Sequence, residues 1–174
     1  VYASIEVGIT TGANAFFTVP QDTVSEYTLE SFTERMVGRS VQISGSRFTT
    51  SDWKSNVEKG AKAYLLNFNE RSSEEVKIAM PYILYGEEND IHKGYKNRIR
   101  ERWYDVPSLR ISDAFFTRRN NLYPKIVTNE ARAYTTDTMH RVSLHPTTDR
   151  KAFVASYYNS LSLAFAEICG RSHG

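Results

Sequence analysis

The sequence predicts an α+β domain, in which a mixed, largely antiparallel curved sheet carries flanking helices. Helical and extended patterns alternate over the first 91 residues. From Tyr95 to Leu144 the chain then holds short runs of β-branched and aromatic residues divided by polar turns, which is typical of antiparallel strands. A last segment with one apolar face predicts a C-terminal helix. Mixed elements, then strands, then a helix indicate the α+β class.

The first part of the chain predicts two short strands joined by a glycine turn, a helix, a weak strand, a short helix and a buried strand. In chain order these elements cover Ser4–Ile9, Ala15–Val19, Asp22–Val37, Ser40–Ser44, Ser51–Gly60 and Ala63–Phe68. Ser72 and Glu75 then form the pattern of a capping box. Pro81 should kink the following helix or mark a new first turn, and we expect Gly86 to end that helix.

The second part predicts strands followed by one long helix. The strands are expected over Tyr95–Val106, Leu109–Thr117, Lys125–Asn129 and pieces of Arg132–Leu144. Asp149 can cap the long helix, and Gly170 can end it. The apolar face of this helix is expected to hold Phe153, Tyr157, Leu161, Ala164, Phe165 and Ile168.

The composition indicates one globular domain. The 174 residues are 40% hydrophobic and 24% charged, which excludes a disordered tail. A chain of this length can build a core without a metal, and its single cysteine excludes a disulfide framework. Its apolar runs are too short for a membrane helix, and its start lacks the pattern of a signal peptide. We therefore expect a cytoplasmic protein without membrane partners.

Basic residues are concentrated in one segment, although the formal net charge is only +2. Residues 21–91 include eight basic and twelve acidic side chains, whereas residues 92–119 include eight basic and three acidic ones. The local field, rather than the global charge, is what attracts phosphate. The second half of the chain is therefore the better candidate for contact with a polyanion.

The segment GYKNRIRERWYDVP, from Gly94 to Pro107, carries this arginine cluster. In an extended conformation, Arg98, Arg100, Arg102 and Tyr104 would share one face of a strand. Adjacent guanidinium groups repel one another unless an anion neutralises them, and arginine binds phosphate with a planar fork. The alternative is a solvated face that pairs in part with acidic residues of the preceding loop, Glu87, Glu88 or Asp90.

A second polar stretch follows, LYPKIVTNEARAYTTDTMHRV, from Leu122 to Val142. Its amide, hydroxyl, imidazole and guanidinium groups can bond base edges or phosphates. The candidates are Asn129, Thr135, Thr136, Thr138, His140 and Arg141. The alternative is a turn in which the Asn, Asp and Thr side chains bond the local backbone, and the composition alone favours that alternative.

A third segment, GITTGAN, from Gly8 to Asn14, is spaced like a phosphate-binding loop but fits neither nucleotide fingerprint. Gly12 is better explained by a tight turn that requires a positive φ. The four histidines share no spacing typical of metal ligands, so no metal site is predicted.

Four ordered segments resemble one family. They are GITTGANAFFTV, GYKNRIRERWYDVP, YPKIVTNEARAYTTDTMHRV and NSLSLAFAEICGRSHG. In this order they resemble the C-terminal region of bacterial adenine-specific DNA methyltransferases of type II and type IIG restriction–modification systems. The resemblance runs from Val7 to Gly174, with a less distinctive middle from Gln21 to Ile91.

The resemblance implies that the chain is a target-recognition domain whose catalytic domain lies elsewhere in the parent protein. That domain would bind S-adenosyl-L-methionine (SAM) through an FxGxG-like motif and hold the flipped adenine beside a (D/N)PP(Y/F) motif. Neither motif occurs in these 174 residues. The chain alone is therefore expected to bind no cofactor and to be inactive. Its first 20 residues, with Gly8, Gly12 and Asn14, would form the joint to the catalytic domain.

The resemblance also raises the weight of the DNA interpretation and implies a partner, double-stranded DNA. The residues expected to hold phosphates are Arg98, Arg100, Arg102, Arg118, Arg119 and Lys125, with Tyr104 on the same strand face. The residues expected at base edges or nearby phosphates are Asn129, Thr135, Thr136, Thr138, His140 and Arg141. The parent could carry a nuclease domain as well.

Two other functions remain open on sequence grounds. One is a self-contained nuclease that uses Glu130, Asp137 and His140 around a metal, although these residues lack a signature spacing. The other is a protein-interaction scaffold whose arginine face pairs with an acidic partner.

Overall fold

The chain pairs its β-branched and aromatic runs into two separate sheets. The computed structural model describes residues 2–118 and 123–170. The strands are β1 (Ala3–Val7), β2 (Thr18–Val19), β3 (Thr33–Arg35), β4 (Arg47–Phe48), β5 (Tyr64–Leu66), β6 (Ala114–Thr117), β7 (Ile126–Asn129) and β8 (Met139–Leu144). The helices are α1 (Asn14–Phe17), α2 (Gln21–Glu26), α3 (Thr50–Glu58), α4 (Ser73–Val76), α5 (Met80–Glu88), α6 (Tyr95–Arg98), α7 (Arg150–Tyr157) and α8 (Ser160–Cys169).

The larger sheet has five strands in the order β1-β8-β6-β7-β4. Every pair is antiparallel except β4 with β7, which is parallel. The smaller sheet is antiparallel and has the order β2-β5-β3. The α+β class with a mixed, largely antiparallel sheet and flanking helices is therefore confirmed, with two sheets in place of one.

Side chains that alternate along the strands of the large sheet form two separate cores. On one face Phe115 and Met139 pack with Phe48 and Val127, next to the half-buried Trp53 of α3. On the other face, strand residues including Val142 pack against α7. The small sheet has its own core, in which Phe16 and Phe17 of α1 pack with Leu65 and Leu66.

Several predicted elements form because their local signals are strong. The capping box of Ser72 and Glu75 is confirmed, with the serine hydroxyl accepting from the Glu75 N–H and the Glu75 carboxylate accepting from the Ser72 N–H. The strands predicted at 63–68 and 125–129 form as β5 and β7, and the first predicted strand forms as β1. Pro81 marks a new first turn, since it lies within the first two residues of α5.

Three predicted elements of the first 60 residues are wrong or shorter than expected. The strand predicted at 15–19 is the short helix α1 followed by two strand residues. The helix predicted at 22–37 ends at Glu26, because Thr28 adopts a positive φ of 55°, and the chain continues as a 3-10 turn and then β3. The strand predicted at 40–44 is a 3-10 turn over Ser40–Gln42.

In the later part, Gly86 does not end its helix. It lies inside α5, and glycine is required there because a Cβ would come within 2.6 Å of both Trp103 and Phe16. The helix predicted from Asp149 to Gly170 is two helices, since Asn159 caps α8 by accepting from the Ser162 N–H at 2.9 Å. As a result Leu161, Phe165 and Ile168 are exposed and do not continue a buried face. Nowhere in the described ranges is a helix both long and apolar enough to span a bilayer.

Candidate nucleic-acid interface

An open cleft of about 630 Å³ lies where the small sheet meets the turn that leads into β8. One wall comes from α1, a second from the turn Gly38–Gln42, and a third from residues 60–62. Thr18, Met36, Thr136 and Thr138 complete the lining. The cleft therefore joins parts of the chain that lie far apart in sequence, and residues from the segments GITTGAN and 122–142 meet in it.

Asn14 lines this cleft and is held there by two side-chain hydrogen bonds. Its Nδ2 donates to Asp137 Oδ1 at 2.8 Å, and its Oδ1 accepts from the Thr11 hydroxyl at 2.6 Å. The backbone beneath is fixed as well, because Ile9 N donates to Thr135 O at 2.8 Å and Asp137 N donates to Ile9 O at 3.0 Å. The amide of Asn14 therefore has one defined orientation before any ligand arrives.

The turn Gly38–Gln42 is fixed from both sides. The Thr138 hydroxyl donates to Gly38 O at 2.6 Å. The Gln42 side-chain oxygen accepts from the N–H groups of Gly38 and Arg39, each at 2.8 Å. Asn56 of α3 donates to Gln42 O at 3.0 Å. Arg39 and Val41 therefore project from a rigid support, and Val41 is 82% exposed.

The cleft has a positive character. Arg39 and Lys62 line it, and the described residues that line it include no carboxylate. Two further cations bond backbone carbonyls next to lining residues, since Arg118 donates to Asp137 O and Lys125 donates to Ile43 O, each at 3.1 Å. The Asp137 carboxylate is equally near, and it accepts from Asn14. A concave surface with cations and oriented polar groups attracts anions and can position them.

The arginine segment 94–107 lies elsewhere, and its predicted strand is wrong. Residues 95–98 form α6 and the rest forms turns. Arg98 is exposed, with its guanidinium 5.6 Å from the Tyr95 ring. Arg102 pairs with Asp105 at 2.9 Å and donates to two backbone carbonyls, and Tyr104 packs on Phe68. These side chains do not share one face, so they do not form the predicted phosphate-binding stripe.

Arg100 connects this segment to GITTGAN. Its Nη2 donates to Thr11 O at 2.6 Å and its Nη1 donates to Asp105 O at 2.8 Å. Partial burial lowers the pKa of its guanidinium. Gly12 adopts a φ of +85° beside it, and a Cβ on Gly12 would lie 2.6 Å from the Asn97 side-chain oxygen. The predicted positive φ at Gly12 is confirmed, and Arg100 serves the fold and is not placed to grip phosphate.

We expect Arg100→Ala to lower the free energy of unfolding by about 2–3 kcal/mol. The substitution leaves the carbonyls of Thr11 and Asp105 without their donor in partly buried positions. Arg98→Ala removes a neighbouring exposed guanidinium and should cost less than about 1 kcal/mol. Urea unfolding of both variants checks this, and equal stabilities would contradict the connecting role of Arg100.

The remaining predicted base-reading residues divide between the cleft and the interior. Thr136 and Thr138 line the cleft, whereas Thr135 is buried and donates to Val37 O at 2.8 Å. Arg141 is 7% exposed and donates to Ser108 O at 2.7 Å. His140 is half-buried beside the Phe116 ring. Arg119 lies outside the described residues.

Asn129 is fully engaged inside the protein. Its Nδ2 donates to Ser112 O at 2.9 Å and to Ala133 O at 2.8 Å, and its Oδ1 accepts from the Ala133 N–H at 2.9 Å. These bonds shape the turn after β7. They match the alternative given above, in which the side chain bonds the local backbone. Its amide is thus not free to contact a base edge.

The residues expected at a nuclease metal site are separated by their own partners. Glu130 pairs with Arg47 at 2.6 Å, and the hydrogen bond from Arg47 lowers the pKa of its carboxyl. Asp137 instead accepts from Asn14. Within residues 2–118 and 123–170, no three His, Cys, Asp or Glu side chains come together in a way that could hold a metal ion.

Arg39, Gln42 and Lys62 were missed by the sequence analysis. All three fall in the segment 21–91, which is mildly acidic overall and holds no distinctive motif. Only tertiary contacts bring these three residues to the cleft, so no local pattern could have indicated that they line it.

Comparison with known proteins identifies the chain. Residues 1–174 match the family model described as "Type II methyltransferase M.Eco57I, C-terminal domain". The chain is also 27% identical over 131 residues to the type II methyltransferase M.AccI of Acinetobacter calcoaceticus. That match covers 75% of this chain and 24% of M.AccI, so the chain spans about a quarter of this relative's length. The protein therefore belongs to the family of C-terminal domains of type II methyltransferases typified by M.Eco57I.

Proposed function

We propose that this chain binds double-stranded DNA and selects the sequence around the target base of a methyltransferase. The observation that carries the proposal is the cleft itself, in which Arg39, on a rigid turn, and Lys62 stand near polar groups held in fixed orientations. The family assignment supports it, because the chain belongs to the C-terminal domains of type II methyltransferases, and the resemblance to restriction–modification methyltransferases implies DNA as the partner. The proposed DNA surface is therefore this cleft and not the arginine segment 94–107.

The cleft offers both kinds of contact that sequence-specific recognition requires. Arg39 and Lys62 on the lining, with Arg118 and Lys125 beside it, would hold phosphates. The hydroxyl groups of Thr136 and Thr138 would lie near base edges, where they can act as donors or acceptors. The exposed Val41 side chain would contact the apolar surface of a thymine methyl or a sugar.

The catalytic steps belong to another domain of the same polypeptide. That domain would bind SAM and transfer its methyl group to the N6 atom of an adenine taken out of the duplex. This chain would supply recognition alone and would have no methyltransferase activity by itself. The segment 2–20 would adjoin the catalytic domain, and Asn14 would then lie where the joint meets the DNA cleft.

The test is duplex binding by the purified chain as a function of salt. Fluorescence anisotropy with a labelled 30-base-pair duplex should give a linear log–log plot, with a slope of about −0.9 for each phosphate neutralised. Arg39→Ala should weaken binding to all duplexes alike and flatten the slope by about one unit. Lys151→Ala, which removes an exposed cation on α7, is the matched control and should leave the slope unchanged.

Three results would contradict the proposal. The first is absence of binding at low salt, and the second is a slope near zero. The third is equal effects of the Arg39 and Lys151 substitutions, because the positive charge would then act without any contribution from the cleft.

A further inference from the structure

A second groove of about 350 Å³ lies next to this cleft. The two depressions adjoin, because Ala15, Thr18 and Lys62 line both of them. Lys62 sits at the junction, where its Nζ approaches Ala15 O at 3.4 Å. A phosphate held at Lys62 would therefore place the next nucleotide at the mouth of this second groove.

The inner surface of the groove is aromatic. Tyr82 is 3% exposed and its hydroxyl donates to Phe16 O at 2.8 Å, which fixes the ring. Tyr85 stacks near it at 5.7 Å between centroids, and Tyr27 meets Tyr82 edge-on at 5.0 Å. Tyr85 nevertheless remains 44% exposed. A rigid tyrosine cluster with an accessible ring surface is suited to a planar, unstacked ligand.

The polar groups of the groove narrow the ligand class further. Glu26 and Thr23, on α2, stand beside the aromatic surface. A carboxylate repels a phosphate backbone but accepts hydrogen bonds from an amino group. Adenine, cytosine and guanine carry such a group on their pairing edge, whereas thymine does not. The groove therefore combines a stacking surface, an acceptor for an exocyclic amine and a lysine at the end where the cleft begins.

We propose that this groove binds an unpaired nucleobase that bears an exocyclic amine, that is adenine, cytosine or guanine but not thymine, on the strand whose phosphate Lys62 holds. The base would stack on Tyr85, and Glu26 would accept from its amino group. This inference rests on the proposed function, because it takes the strand from the cleft into the groove. It adds a single-stranded subsite to a surface that otherwise contacts duplex DNA.

The experiment compares one duplex in three forms: blunt, with a three-nucleotide dA tail, and with a dT tail. The wild-type chain should bind the dA-tailed form roughly tenfold more tightly than the blunt form, a gain typical of one stacked base. The dT tail should gain less. A 2-aminopurine placed in the dA tail should lose fluorescence on binding, because stacking on tyrosine quenches it.

The variants test separately whether the Tyr85 ring and the Glu26 carboxylate contribute to binding of the tail. Tyr85→Ala should remove the gain from the dA tail and leave blunt-duplex binding unchanged, whereas Tyr85→Phe should keep the gain. Glu26→Gln should reduce the difference between dA and dT tails. Circular dichroism and a thermal melt show whether each variant is folded. If Tyr85→Ala does not fold, Glu26→Gln still tests the inference, because the expected smaller difference between the dA and dT tails does not depend on Tyr85→Ala.

The outcomes distinguish this inference from the function on which it rests. Equal affinity of the wild-type chain for blunt and dA-tailed duplexes overturns the inference and leaves the proposed function intact. The inference is also overturned, and the proposed function left intact, if a folded Tyr85→Ala variant keeps the full gain in affinity from the dA tail. Failure of the wild-type chain to bind either form overturns the proposed function and the inference with it.

Discussion

Gly8→Ala is expected to destabilise the protein by more than about 3 kcal/mol. A Cβ at this position would lie 2.0 Å from Thr136 O and 2.8 Å from Met139 O, and both atoms belong to the backbone. Neither can rotate away as a side chain would, so the backbone that follows β1 must move away from the turn that leads into β8. Gly8 N also donates to Met139 O at 2.9 Å, and this bond would be lost or lengthened.

The effect should reach the cleft as well. Gly8 and Ile9 hold the turn that carries Thr136 and Asp137, and Asp137 in turn fixes Asn14. Even the folded fraction of the variant should therefore bind duplex DNA more weakly than the wild-type chain. Urea unfolding gives the stability, and anisotropy at a temperature where the variant is folded gives the affinity.

Gly45→Ala is the matched control for this prediction. Nothing lies within 4 Å of a Cβ built at Gly45, and its φ is not positive. The substitution should change the free energy of unfolding by less than about 1 kcal/mol, on the stabilising side, because alanine restricts the unfolded chain. If the Gly8 and Gly45 variants were equally stable, the close approach of Gly8 to the 136–139 backbone would not be a constraint on the fold.

The sequence predicted those parts of the fold that local signals determine. The capping box at Ser72 involves atoms three residues apart, and β5 and β7 are short runs of apolar and β-branched residues. Gly12 was correctly expected at a positive φ, because few other residues tolerate it. In each case the information lies within a few neighbouring residues.

The arginine segment shows why the rest could not be predicted. Alternating arginines fit a period of two, yet Arg100 bonds a carbonyl 89 residues away and Arg102 one 31 residues away. These bonds stabilise turns and a short helix that the pattern alone does not indicate. A guanidinium that satisfies backbone carbonyls has the same sequence signature as one that waits for a phosphate.

The candidate site was predicted in part for a similar reason. Thr136 and Thr138 were identified from their residue types and Asn14 from the family resemblance, but Asn14 is linked to their turn by a bond between positions 123 residues apart. Arg39 and Lys62 come from a segment in which acidic residues outnumber basic ones, so a count of charge along the chain points away from them. Only the fold brings these two cations to one cleft.

Reversing both cleft cations gives the largest expected effect on binding. The double variant Arg39→Glu with Lys62→Glu should lower the affinity for duplex DNA at least about 100-fold, which corresponds to about 1.4 kcal/mol for each lost phosphate contact. Stability should change little, because the Arg39 side chain is exposed and the hydrogen bond from Lys62 Nζ to Ala15 O is a long one of 3.4 Å. The two new carboxylates would also repel the phosphates on either side.

The control must carry the same change of net charge away from the cleft. Lys54→Glu with Lys151→Glu provides it, since both lysines are exposed, on α3 and α7, and neither lines the cleft. This pair should lower the affinity by less than about tenfold, and mainly at low salt, because charges beyond a Debye length of about 10 Å are screened. Equal losses for the two double variants would mean that net charge, rather than the position of Arg39 and Lys62, determines binding, and the cleft would then have to be abandoned as the DNA surface.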